Sequence, residues 1–83
     1  MRAVDQLPHV TDQPSFIAFV RVLQAERADP QTRAEWENDT IEAYLEAAAA
    51  WAEDAPMQLP PLADVAAIWQ TFAHFLYCGK IYE

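Results

Sequence analysis

The stretch from Glu35 to Asp54 reads EWENDTIEAYLEAAAAWAED, and it decides how the fold is interpreted. From Ile41 onward, apolar residues recur at the three- and four-residue spacing of one face of an α-helix. We therefore predict a helix over Ile41–Glu53, with Asn38 or Thr40 as its N-terminal cap. The predicted apolar face consists of Ile41, Tyr44, Leu45, Ala48, Trp51 and Ala52.

A helix is also predicted on the N-terminal side of this stretch, over Gln13–Ala28. Asp12 is suited to cap its start, and Pro14 is tolerated in its opening turn. The pair Asp29-Pro30 ends it, because a residue that precedes proline is disfavoured in the α region. The apolar face of this predicted helix consists of Phe16, Phe19, Val20 and Leu23.

A third helix is predicted over Pro61–Tyr77, after an irregular, proline-containing loop at 54–60. Gly79 is the only glycine of the chain, and it follows this helix where a left-handed cap would be needed. Ile81 and Tyr82 are then expected to fold back onto the core. The apolar arc of the third helix is wide, with Leu62, Val65, Ile68, Trp69, Phe72, Phe75 and Leu76.

The composition agrees with a helical chain. The 83 residues include one glycine and six prolines, and strand signals are absent. We predict an all-α fold, a small three-helix bundle in a single domain. Residues 1–11 are expected to be an N-terminal leader with little pattern, and residues 12–83 the helical domain. Whether the leader is ordered is left open by the sequence.

The charge of the chain restricts its partners. Thirteen acidic residues against five basic ones give a formal net charge of −8. This charge disfavours binding to nucleic-acid phosphates and to anionic membranes. It suits a protein partner with a basic surface, or solubility alone. Because no signal peptide, membrane span or cysteine framework is visible, we expect a cytoplasmic location.

No catalytic, cofactor or metal motif is present. Glu42, Glu46 and Glu53 share a helical stripe that could face one cation, but the usual interpretation is a solvated acidic face. His9 and His74 have no partners at ligand spacing. Cys78 is expected to be a small packing residue, since a helix C-terminus disfavours the thiolate. We therefore predict that the protein is not an enzyme.

The aromatic residues can be interpreted in two ways. Trp51 and Trp69 lie on apolar arcs and are expected in the core. Trp36 lies in the acidic connector, outside a clear periodic face. It either fastens the connector to the bundle or forms the centre of an interface with a partner.

The block Trp36-Glu37-Asn38-x-Thr40-Ile41-x-x-Tyr44-Leu45-Glu46-Ala47-x-x-x-Trp51 resembles the DUF7660 family of small bacterial proteins of unknown function. The shorter block Trp69-x-x-Phe72-Ala73 and the ending Ile81-Tyr82-Glu83 strengthen the likeness. The connector DAPMQLPP departs from the longer connector containing Gly and Tyr that such proteins often carry. The resemblance implies one domain and no established activity. In size and acidity alone, the chain is also similar to immunity proteins that neutralise bacterial toxins.

We therefore predict a non-enzymatic protein-protein interaction module, immunity- or antitoxin-like, that engages a basic partner. The alternative is a homo-oligomeric module, a homodimer formed through the helix at 61–77, whose acidic surface serves only solubility. The predicted partner-binding residues are Glu35, Trp36, Glu37, Asp39, Glu42 and Glu46. No cofactor or metal is predicted.

Overall fold

The structure is a computed structural model that describes residues 2–54 and 63–82. Within these ranges the chain forms five α-helices, one 3₁₀ turn and no strand. The predicted all-α class is therefore confirmed. The predicted count of three helices is wrong, because two additional short helices, α1 and α3, form. The elements are α1 (Ala3–Gln6), the 3₁₀ turn (Leu7–His9), α2 (Gln13–Ala28), α3 (Pro30–Arg33), α4 (Ile41–Asp54) and α5 (Val65–Ile81).

Helix α2 has the bounds that its local signals predict. The Asp12 carboxylate accepts a hydrogen bond from the Ser15 backbone N–H at 3.0 Å, and the Ser15 hydroxyl accepts one from the Asp12 N–H at 3.1 Å. This reciprocal pair satisfies two N–H groups that have no partner inside the helix. Asp29, before Pro30, has extended backbone and ends the helix. The same Asp29 caps α3 by accepting from the Gln31 N–H.

Helix α4 begins at Ile41, as predicted, and ends one residue later than predicted, at Asp54. Of the two candidate caps, Thr40 is the one used, because its hydroxyl accepts from the Ala43 N–H at 3.0 Å. Asn38 instead donates its side-chain amide to the carbonyl of Gly79 at 3.1 Å and to that of Tyr82 at 2.9 Å. Asn38 thereby provides hydrogen-bond donors for two backbone carbonyls at the end of α5.

Helix α5 differs from its prediction at both ends. It begins at Val65, where the Asp64 carboxylate caps it by accepting from the Ala67 N–H. The loop was predicted at 54–60, but Asp54 belongs to α4, and residues 55–62, which include Pro61 and Leu62, lie outside the described residues. The helix continues past Tyr77 to Ile81, so the expected fold-back of Ile81 is wrong. Ile81 lies in the last turn and is exposed.

Gly79 is not the left-handed cap that the sequence suggested. No described residue has a positive φ, and Gly79 lies buried inside α5. A Cβ at this position would lie 2.9 Å from two ring carbons of Tyr44 and 3.2 Å from the Cβ of Ala48. The glycine is therefore required by the close approach of α4 to α5, since its missing side chain makes room for the tyrosine ring.

Residues 2–11 of the N-terminal segment contribute to the core. Ala3, Leu7 and Val10 are buried and pack with Phe19 and Leu23 of α2. The side-chain amide of Gln70 on α5 donates to the Leu7 carbonyl at 2.9 Å and to the Val10 carbonyl at 2.8 Å. The segment that has little pattern in the sequence is thus held on one side by apolar packing and on another by α5.

Helix α5 is the central helix of the bundle for three other elements. It contacts α2, α4 and the 3₁₀ turn, and its most extensive contact is with α4. Phe16 of α2 and Trp69 of α5 pack with ring centroids 5.2 Å apart. Helices α2 and α4 both pack against α5, and an open groove remains between α2 and α4. Among the described helices, none combines the length and apolar character that crossing a membrane requires.

Candidate functional site

Trp36 is fixed by aromatic and cationic neighbours. Its ring stacks on Tyr44 with centroids 5.9 Å apart and planes 30° apart, and the Lys80 ammonium lies 5.7 Å from its centroid. The indole packs against the buried core cluster and is itself half-buried. These contacts agree with the interpretation in which Trp36 fastens the connector to the bundle. Its Nε1–H is buried and has no acceptor among the described residues.

Glu35 is paired inside the chain. Its carboxylate forms an ion pair with the guanidinium of Arg2, which also bonds Glu26 through Nε at 3.1 Å. Hydrogen bonds to both carboxylates raise the pKa of Arg2, that to Glu35 being the stronger influence. Glu35 is therefore less available to an outside cation than its position in the acidic stretch suggested.

Glu26 forms the centre of a buried charged cluster that sequence reasoning missed. It is 6% exposed, and Lys80 is 4% exposed. One Glu26 oxygen accepts from the Ala3 N–H at 2.8 Å and from Arg2, and the other faces the Lys80 ammonium at 3.4 Å. The cluster joins α1, α2 and α5 at one point. The signal that could have revealed it is the position of Glu26 three residues after Leu23, on the apolar arc of α2.

The protonation state of Glu26 follows from these contacts. Burial raises the pKa of the carboxyl. The Ala3 hydrogen bond, the charge of Lys80 and the side-chain hydrogen bonds from Arg2 and Lys80 outweigh that effect, so the pKa lies below its ordinary value of 4.5. Glu26 is thus ionised at neutral pH. Because each polar group of the charged cluster has a partner within the chain, the cluster reads as a structural clamp.

The outer face of α4, defined here as Ile41, Glu42, Leu45, Glu46 and Ala49, is exposed. Ile41 is 76% exposed and Leu45 is 59% exposed, so their prediction as part of the buried face is wrong. Ala47 and Ala48 are the buried residues of α4, because the closest approach to α5 occurs there. The outer face therefore carries an apolar stripe beside an acidic one.

The structure divides the six residues predicted to bind a partner. Glu42 and Glu46 lie one helical turn apart on the outer face of α4. Glu37 and Asp39 are exposed in the connector that leads to it. Within residues 2–54 and 63–82, none of these four carboxylates forms an ion pair. Glu35 and Trp36, by contrast, are engaged within the chain.

The groove between α2 and α4 has a volume of about 640 Å³ and a mostly apolar lining. Its size is within the range of small-molecule sites. Trp36 and Tyr44 contribute aromatic surface, and burial raises the pKa of Tyr44 to about 12. The Tyr44 hydroxyl donates to the Leu76 carbonyl at 2.7 Å. The full lining consists of Val20, Leu23, Gln24, Arg27, Ala28, Arg33, Trp36, Asn38, Asp39, Thr40, Ile41, Tyr44 and Leu76.

The remaining chemistry-bearing residues are not gathered into a site. In the part of the chain that the structure describes, no three histidine, cysteine or acidic side chains are placed to hold one metal ion. Cys78 is half-buried, and burial raises the pKa of its thiol. His74 Nδ1 lies 3.0 Å from the carbonyl of Gln70, one turn earlier in α5. These groups are engaged in helix packing and local hydrogen bonds.

Comparison with known proteins identifies a family whose function is unknown. No curated protein matches the chain, and no solved structure does. The match to a family of unknown function, DUF7660, spans residues 12–83, which includes α2 to α5, the connector and the outer face of α4. On that match, the chain belongs to the DUF7660 family of unknown function.

Proposed function

We propose that the protein is a non-enzymatic interaction module, immunity- or antitoxin-like, that binds a basic protein partner through the outer face of α4. The observation that carries this proposal is the exposure of Ile41 and Leu45 directly beside the carboxylates of Glu42 and Glu46. Apolar stripes rimmed by charge are typical of surfaces that a partner covers.

The two stripes contribute in different ways. Burying a leucine or isoleucine side chain that is exposed in the free protein is worth about 1.5–3 kcal/mol. The unpaired carboxylates, together with Glu37 and Asp39, speed the encounter with a cationic surface and select against acidic partners. Glu42 and Glu46, one turn apart, repel each other by a few tenths of a kcal/mol. Only Glu42 lies in the first turn of α4, where the helix dipole favours a negative charge.

The test compares two charge reversals of equal size. Glu46→Lys alters the outer face, and Asp5→Lys alters an exposed carboxylate on α1. Wild type and both variants serve as baits in affinity capture from a lysate of the source organism, after circular dichroism has verified folding. We expect a basic protein to be retained by wild type and Asp5→Lys, released by salt, and lost from Glu46→Lys.

A second variant separates apolar contact from charge. Leu45→Ser keeps the net charge and removes part of the apolar stripe, so retention of the same partner should weaken. Equal retention by wild type, Glu46→Lys and Leu45→Ser would contradict a role for the outer face of α4.

A second candidate function is a homodimer formed through α5. Its support is the exposure of Val65 (54%) and Phe72 (44%), which lie seven residues apart and thus on one face of the helix. A second copy of the chain could cover this pair, and the acidic surface would then serve solubility alone.

Sedimentation velocity distinguishes this candidate from the first. Phe72→Glu should dissociate the dimer, whereas Ala66→Glu adds the same charge at an exposed position of α5 on a different face and should not. Phe72 is a better probe than Ile68, because Ile68 is half-buried and its replacement would also disturb folding. A wild-type protein that stays monomeric at high concentration excludes the dimer.

A further inference from the structure

The basic residues of the chain are distributed unevenly. There are five, against thirteen acidic residues. Arg2 and Lys80 are paired with carboxylates, and Arg21 lies exposed beside Gln24. The other two, Arg27 and Arg33, both line the groove between α2 and α4. With Asp39 as the acidic residue of the lining, the groove has a formal charge of +1 in a chain of −8.

Both groove arginines are held by backbone carbonyls. Arg27 donates from one terminal nitrogen to the Asp39 carbonyl at 2.7 Å, and Arg33 donates from Nε to the Arg27 carbonyl at 3.1 Å. An arginine has five N–H donors, so most donors of each remain available. Neither forms an ion pair with a described carboxylate. The two cationic groups are therefore positioned at the groove without being neutralised.

The rest of the lining suits an apolar body. Val20, Leu23 and Leu76 supply aliphatic surface, and Tyr44 and Trp36 supply aromatic surface.

We propose that the groove between α2 and α4 binds an amphipathic carboxylate, such as a medium-chain fatty acid. Its carboxylate lies at Arg27 and Arg33, which offer charge-assisted donors, and its apolar tail lies along the aliphatic and aromatic lining. This site includes neither Glu42 nor Glu46 and does not depend on the proposed protein partner, although it shares Asp39 and Ile41 with the proposed partner surface.

The test measures binding of decanoate, below its critical micelle concentration, to the full chain by calorimetry and by the ¹H–¹⁵N signal of the Trp36 indole. Arg33→Gln and Arg27→Gln should each weaken binding about tenfold, since a hydrogen bond to a charged group is lost. Arg21→Gln removes an exposed arginine of α2 outside the groove and should bind as wild type does. Arg33 is the first choice, because it is exposed and its replacement leaves the core intact.

Decyltrimethylammonium, which has the same tail and the opposite charge, serves as the ligand control and should bind much more weakly. The proposal is overturned by absence of decanoate binding to wild type, by equal affinity for the two amphiphiles, or by equal loss in the Arg21→Gln control. Weakening confined to the groove arginines, with a shifted Trp36 indole signal, supports it. None of these variants alters Glu42 or Glu46, so the result is independent of partner capture.

Discussion

Two regions of this small protein depart from the rule that charge stays outside and apolar side chains go inside. Around Glu26, a carboxylate and the Lys80 ammonium are buried in the bundle. On the outer face of α4, Ile41 and Leu45 are exposed to solvent. The first departure is compensated within the chain, because Glu26 has the Ala3 N–H, Arg2 and Lys80 as partners. The second has no compensation among the described residues.

The difference shows where structural and functional interpretations separate. A buried charge whose partners all lie inside the chain has a structural role, so no outside ligand is needed to account for it. For an exposed apolar stripe beside unpaired carboxylates, the proposed function supplies the explanation, namely contact with another molecule. The acidic character that the sequence displays so prominently is therefore less informative than the position of each acid: Glu26 and Glu35 serve the fold, whereas Glu42 and Glu46 remain available.

The largest effect is expected from breaking the buried cluster. Glu26→Ala leaves the Lys80 ammonium buried without its carboxylate and frees the Ala3 N–H, so it should lower the free energy of unfolding by about 3–5 kcal/mol. Chemical denaturation of wild type and of each variant measures this loss of unfolding free energy. Glu46→Ala, the exposed control, should change stability by less than about 0.5 kcal/mol. If both variants lost the same amount of unfolding free energy, the buried cluster would be no more important for stability than the outer face of α4.

The next effect concerns the approach of α4 to α5 behind the exposed face. Gly79→Ala places a Cβ within 2.9 Å of the Tyr44 ring and should cost about 1–3 kcal/mol, although alanine favours helix more than glycine does. The same substitution in a Tyr44→Ala background should cost much less, because the clash is removed. If Gly79→Ala alone raised the thermal unfolding temperature, α4 and α5 would have to lie farther apart than the distances given above.

The pH dependence of stability reports on the cluster directly. Because the pKa of Glu26 in the folded protein lies below its ordinary value, its ionised form contributes stability above that value. This contribution is lost as the pH falls through the folded-state pKa, so unfolding free energy should decline from about pH 5 downward. Glu26→Gln cannot titrate and should show a shallower decline over the same range. Identical slopes would mean that other carboxyls account for the acid sensitivity.

The smallest effect is expected on the outer face of α4. Ile41→Ser and Leu45→Ser should each change stability by less than about 0.5 kcal/mol, because both side chains are already exposed. Leu23→Ser, at a buried position of α2, provides the contrast and should be strongly destabilising. A cost at Ile41 or Leu45 that approaches the cost at Leu23 would indicate that the face is covered within the chain.

The candidate site was accessible to sequence reasoning only in part. Helical spacing places Glu42 and Glu46 on a solvated stripe, and the structure keeps them exposed. The same spacing assigned Ile41 and Leu45 to the core, because periodicity gives the width of an apolar arc but not how much of it a neighbour covers. The groove could not be predicted from the sequence, because it forms only when α2 and α4 both pack against α5.

The sequence by itself determined the ends of α2 and the start of α4. Asp12 with Ser15, the Asp29-Pro30 pair and Thr40 act through contacts within a few residues of one another, so local chemistry suffices. Only the tertiary structure decided the roles of Gly79, Asn38 and Glu26. Gly79 leaves room for the Tyr44 ring of α4, and Asn38 caps a helix about 40 residues away. Glu26 is kept ionised inside the bundle by groups from α1 and α5. Those roles depend on distances that no local pattern encodes, because they arise when distant segments pack together.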